Sequence, residues 1–178
     1  MKGTDRTRRF EAAVLPHLDA AYNLARWLLR DEQSAQDVVQ EAYLRAFRFF
    51  DGFRGGDARP WLLGIVRNSC FTWLGQSGRD HVEFDEARDS GVLDAGIEAA
   101  ANDPLRLLER KFERTQVNAA IATLPPLFRE VLILREIEEL SYDEIAQVAG
   151  IPVGTVMSRL SRARAMLRAA LTQPDKED

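Results

Sequence analysis

Cysteine occurs once in this chain, at position 70, so no internal disulfide can form. Its place inside the apolar stretch from Leu62 to Leu74 reads as a buried structural thiol. Histidine is nearly as scarce: His17 and His81 stand apart, neither has a partner at metal-ligand spacing, and a metal site has no support. No apolar run approaches the span of a bilayer, and the opening MKGTDRTRRFEAA lacks the apolar core of a signal peptide, so a cytoplasmic location is expected. Neither a Gly-Lys-Ser nor a Gly-x-Gly-x-x-Gly pattern surrounds Gly55 and Gly56, which leaves a nucleotide phosphate loop poorly supported. No nucleophile, base and orienting group assemble from the motifs present, so neither an enzyme nor a cofactor is expected.

What is present is unevenly spread. The net charge of −4 over 178 residues divides sharply: residues 80–104 hold eight acids against one arginine, whereas 151–173 carry four arginines and no acid, and 51–79 carry a net +2. An average of this kind hides two basic modules and an acidic tether. The tether, DHVEFDEARDSGVLDAGIEAAANDP, lacks sustained periodicity and holds Gly91, Gly96 and Pro104. It reads as a flexible acidic linker over 79–104. Elsewhere the apolar residues recur every three to four positions. The expected fold class is therefore all-α, with two small helical domains at 8–78 and 105–172.

In the first domain, Phe10, Val14, Leu18, Tyr22, Ala25 and Leu29 line a helix from about Arg8 to Arg30, with Pro16 a kink or a later start. Ser34, with Asp37 three residues on, is the expected cap of a second helix whose polar face shows Asp37, Gln40, Glu41 and Arg45. The breaker DGFRGGDARP precedes a third helix, Trp61 to about Gln76. Around it Phe50, Phe53, Trp61, Phe71 and Trp73 alternate with Arg54, Arg59, Arg67 and Asn68. That mixture suits single-stranded bases stacking on aromatics while cations follow phosphates, and it equally suits an aromatic core.

The second domain ends in a helix-turn-helix. Ser141 with Glu144 makes a capping box, Gly150 stands where a left-handed C-cap is wanted, and Pro152 leads into a helix from Val153. Val156, Leu160, Ala163, Leu167 and Ala170 give that helix a buried stripe, with Arg159, Arg162, Arg164 and Arg168 largely off it. Four arginines without counter-charge after such a turn point to DNA. Helices over Pro104–Thr123 and Pro125–Glu139 are expected to build the small core beneath it.

The string DVVQEAYLRAFRFFDGFRGGDARPWLLGIVRNSCFTWL resembles region 2 of bacterial sigma factors of the extracytoplasmic-function (ECF) group, and LPPLFREVLILREIEELSYDEIAQVAGIPVGTVMSRLSRARAMLR resembles region 4 of the same group. The two halves stand in the family's order across a short linker. The resemblance implies an RNA polymerase sigma factor that directs promoter-specific initiation. It implies that Asp37, Gln40, Glu41 and Arg45 meet core RNA polymerase, and that Phe53, Arg54, Arg59, Trp61, Arg67 and Asn68 meet the melted −10 element. Ser141, Tyr142, Thr155, Ser158, Arg159, Arg162 and Arg164 would then serve the duplex −35 element. It further implies regulation by an anti-sigma factor. Met157 departs from the family, many of whose members carry a lysine or arginine there. Two other classes stay open: a helix-turn-helix repressor or activator, and a sigma mimic that sequesters an anti-sigma protein. The first would need no region 2, and the second would be expected to lose its basic recognition helix.

Overall fold

A computed structural model of the chain describes residues 2–76 and 104–172. Among the described residues the architecture is all-α, in two helical domains: α1 (Lys2–Val14), α2 (Leu18–Leu29), α3 (Glu32–Phe49) and α4 (Ala58–Gln76), then α5 (Pro104–Ala122), α6 (Pro126–Glu136), α7 (Tyr142–Ala149) and α8 (Val153–Thr172). The acidic linker expected at 79–104 lies outside the described residues, apart from Pro104, which opens α5.

Two boundaries depart from the sequence reading. The single helix expected from Arg8 to Arg30 is two helices, because Pro16 sits in a tight 3-10 turn over Leu15–His17 that separates α1 from α2. A proline ring cannot supply the amide that a continuous helix needs there. The cap of α3 is Asp31 rather than Ser34: the Asp31 carboxylate accepts from both the Ser34 amide (3.1 Å) and the Ser34 hydroxyl. Asp37 consequently lies in the second turn of α3, and Glu32 is the acid placed at its N-terminus.

Phe10 of α1, 1% exposed, anchors the first domain, with edge-on contacts to Tyr43, Phe47 and Phe50 at 5.0–5.3 Å between ring centroids. Arg6 fixes the same corner by donating to the Phe47 carbonyl and pairing with Asp51 at 3.0 Å. In the second domain, α7 begins on the capping box of Ser141 and Glu144 and ends on Gly150 in the left-handed region (φ 67°). The Gly150 amide then reaches back to Ala146 at 2.9 Å, closing the turn that delivers α8.

The two domains pack face to face. α4 lies against α7, and α2 against α6, so buried side chains from both halves join one continuous core. Helix α6 is enclosed on every side: the six consecutive residues Arg129 to Leu134 are all buried. α4 comes close to α7 at Gly64, where a β-carbon would stand 3.7 Å from the Val148 carbonyl oxygen. That is ordinary contact distance, and anything larger than a methyl group would meet backbone.

Candidate functional site

The polar face expected on α3 is present and open. Asp37, Gln40 and Glu41 are exposed and Arg45 is half-buried. Glu41 and Arg45 pair along the helix at 3.4 Å, and Asp37 accepts from Gln33 at 3.1 Å. Leu44, 52% exposed, adds an apolar contact to this charged surface. Such a face suits an interhelical partner of complementary charge.

The aromatic and basic residues expected around the glycine loop divide into two places. Phe53 stacks on Phe50 (5.9 Å, 20° between planes) and meets Trp61 at 5.0 Å, a half-buried group at the N-terminal end of α4 with Arg54 exposed beside it. Phe50 also touches Phe10, so the group is rooted in the core and offers only its outer rings. Asp57 accepts from the Arg59 amide at 2.9 Å and so steadies the start of α4. Arg67 and Asn68 lie two turns further on. Asn68 is exposed, whereas Arg67 lies over the Phe71 ring at 4.2 Å and is largely covered.

What covers Arg67 is Glu130 of α6. Arg67 donates to both carboxylate oxygens, at 2.8 and 3.0 Å, a bidentate geometry that gives the strongest ion pairs. The same carboxylate, fully buried, stands 3.9 Å from Arg159 of α8. Burial pushes the Glu130 carboxyl up from its ordinary value, while the hydrogen bonds and charge of Arg67, and the charge of Arg159, pull it down. Cys70, one turn along α4 from Arg67, is pushed up to about 12 by burial and by the nearby Glu130 charge, against the opposing pull of Arg67.

On the helix-turn-helix, Thr155 is half-buried and Ser158 exposed, its hydroxyl bonded to the Thr155 carbonyl at 3.1 Å. Arg162 is exposed and lies over the Phe128 ring at 5.2 Å. Arg164 pairs with Glu136 at 2.9 Å, and its guanidinium is held above its ordinary pKa by that bond and by Tyr142. Tyr142 carries Arg135 over its ring at 4.9 Å, and Ser141 is occupied by its capping bonds. Met157, 54% exposed, occupies the outer face next to Ser158.

Comparison with known proteins matches residues 13–80 to the family described as Sigma-70 region 2 and residues 114–167 to Sigma-70, region 4. The chain is 36% identical over 167 residues to the RNA polymerase sigma-H factor of Pseudomonas aeruginosa, a match covering 92% of this chain and 86% of that protein. It is also 38% identical over 136 residues to the ECF RNA polymerase sigma-E factor of Escherichia coli, covering 72% of this chain and 69% of the relative. This chain belongs to the ECF group of RNA polymerase sigma factors. Among solved structures it is similar to the sigma factor RpoE of Bartonella quintana in complex with the anti-sigma factor NepR. That likeness has a TM-score of 0.67 and 28% identity, with 92% of this chain and 97% of that one covered. CnrH in complex with the cytosolic domain of CnrY is similar at a TM-score of 0.61 and 28% identity, with 93% and 88% covered.

Sequence reasoning missed two residues of this sigma factor. Arg129, 4% exposed, donates to the carbonyls of Trp27 and Leu28 at the end of α2, and to those of Ala122 and Leu124 at the end of α5. It therefore ties the two domains together through the electronegative ends of two helices. Glu130 is the other. Both sit in the run LFREVLILR, where Val131–Leu134 supplies four consecutive apolar residues. Four in a row exceed a single helical face, and a helix apolar all round is covered all round. That pattern was the available sign that charges beside it would be buried too.

Proposed function

We propose that the exposed α3 face of Asp37, Gln40, Glu41 and Arg45 docks on core RNA polymerase in the cytoplasm, while the two domains hold separate promoter elements. The Phe50, Phe53 and Trp61 group with Arg54 and Arg59 would receive bases of the melted −10 strand, with Arg67 and Asn68 on its backbone and edges. Unstacking a base costs a few kcal/mol, which aromatic contact at about 1–3 kcal/mol per base offsets. The start of α8 would enter the major groove at −35, with Thr155, Ser158, Arg159 and Arg162 foremost, while Arg164, Ser141 and Tyr142 take phosphate. Domain limits of 8–78 and 105–172 accompany this reading. The observation that carries it is a helix-turn-helix with an arginine-bearing second helix, on the same chain as an open acidic α3 face. The likeness to a relative bound to an anti-sigma factor supports control by a partner of that kind.

Runoff transcription on genomic fragments tests the proposal. The protein should give discrete starts only with core polymerase, and Arg159→Ala should reduce them about tenfold or more while co-elution with polymerase persists. No start on any fragment, together with tight binding to a palindromic duplex, would instead mark a repressor.

A further inference from the structure

Helix α8 turns one narrow stripe away from its own domain. Gly154, Met157, Ser158, Ser161, Arg162 and Ala165 are all exposed, at the three-and-four spacing of a single helical face, opposite the buried Val156, Leu160 and Ala163. Apart from Met157 and Arg162, nothing on the stripe is larger than serine. Met157 is its large apolar side chain and is 54% exposed. Neither packing nor backbone calls for glycine at position 154, since a β-carbon there would meet nothing within 4 Å and the residue is helical. A bare backbone at that end of the stripe serves a close approach from outside.

We propose that Met157 is a specificity-determining residue, whose apolar chain packs on the 5-methyl group of a thymine in the −35 element. The inference rests on the reading of α8 as the helix that enters the major groove there. Of the four bases, thymine is the one that offers an apolar group in that groove, while the matching partner of arginine is guanine. The groove is about 12 Å wide and a helix with its side chains about 10–12 Å across. A helix whose outer stripe is small therefore sits deep, and a long side chain on that stripe must meet a base edge. A lysine or arginine at position 157 would seek phosphate; a thioether has neither charge nor proton to offer one. The adjacent Ser158 does not compete for the methyl group, being polar and already donating to the Thr155 carbonyl at 3.1 Å. Met157 and Arg162 stand about 7.5 Å apart along the helix axis. That is about two base pairs at 3.4 Å each, so the thymine belongs about two pairs from the guanine that Arg162 reads.

The test uses the full chain assembled with core polymerase, on a promoter fragment whose start has been mapped by runoff and which is rebuilt from synthetic strands. Each thymine of its −35 element is replaced singly by deoxyuridine, which pairs identically and lacks only the methyl group. Each guanine is replaced singly by 7-deazaguanine, which lacks the N7 acceptor. We expect one thymine at which deoxyuridine weakens binding about threefold to fourfold, the worth of one buried methyl group. Met157→Ala should abolish that penalty. Met157→Lys should abolish it too, and steepen the logarithmic salt dependence by about 0.9, the mark of one added phosphate contact. The guanine whose 7-deaza penalty vanishes in Arg162→Ala should lie about two pairs from that thymine. If no deoxyuridine matters while Arg162→Ala still weakens binding, or if the penalty persists in Met157→Ala, the proposal is overturned. A responsive thymine more than about four pairs from that guanine overturns it as well. Should Arg162→Ala and a scrambled −35 element both leave binding unchanged, or no fragment yield a start, it is the assignment of α8 to the −35 element that fails.

Discussion

Cys70 shows how one buried side chain reports on its surroundings. Its thiol is pushed up to about 12 from 9.0, so at neutral pH it stays protonated as well as enclosed. A thiolate is the nucleophile, and both conditions suppress it. A maleimide at pH 8 should leave the native chain unlabelled and label one equivalent after unfolding in guanidinium. The same shift sets an alkaline limit. A group whose folded pKa is raised contributes stability that is complete below its unfolded value and is lost as pH climbs through the folded one. The denaturation midpoint should therefore be insensitive to Cys70 below pH 9 and fall between 9 and about 12, with Cys70→Ala removing that part of the slope.

Among the elements, α7 is the one whose ends are most fully specified by local chemistry. Ser141 and Glu144 exchange two hydrogen bonds at 3.1 and 3.0 Å, and Gly150 holds a φ of 67° that an L side chain resists. Ser141→Ala should cost about 1 kcal/mol, and Gly150→Ala a similar amount. In a chain of this size that is a fall of about 2–4 °C in melting temperature. Both ends of α7 were legible because a capping box and a left-handed glycine are contiguous signals. The start of α3 was not. Asp31 and Ser34 are both good caps, three residues apart, and only the fold shows Asp31 serving as cap with Ser34 bonded to it. Pro16 gave a break without saying whether the helix bends or stops. The α3 face and the stripe of α8 were read correctly as surfaces, since periodicity identifies which side of a helix is buried. It does not identify what lies against that side, which is why Arg67 and Arg159 were seen as free cations and Glu130 was not seen at all.

Over the described residues, the contact of α4 with α7 and of α2 with α6 joins the two family domains through one buried core. Arg129 reinforces this by bonding carbonyls on both sides, and Asn23 of α2 reaches Glu138 beyond α6 at 3.1 Å. Calorimetry of the free chain should accordingly give a single transition, and Gly64→Phe should resolve it into two, the lower belonging to whichever domain depended more on the other. Gly64 has a further consequence. Its α-carbon faces the α7 backbone across the domain contact, so a side chain larger than a methyl group there would shift the free energy of closure. Were polymerase to engage only parted domains, and that free energy to leave one molecule in a hundred open, its apparent affinity would be a hundredfold weaker. A tenfold change in closure, about 1.4 kcal/mol, would move the amount of polymerase needed for half-occupancy tenfold, so substitutions at positions that touch neither polymerase nor promoter could set how readily this factor is put to work.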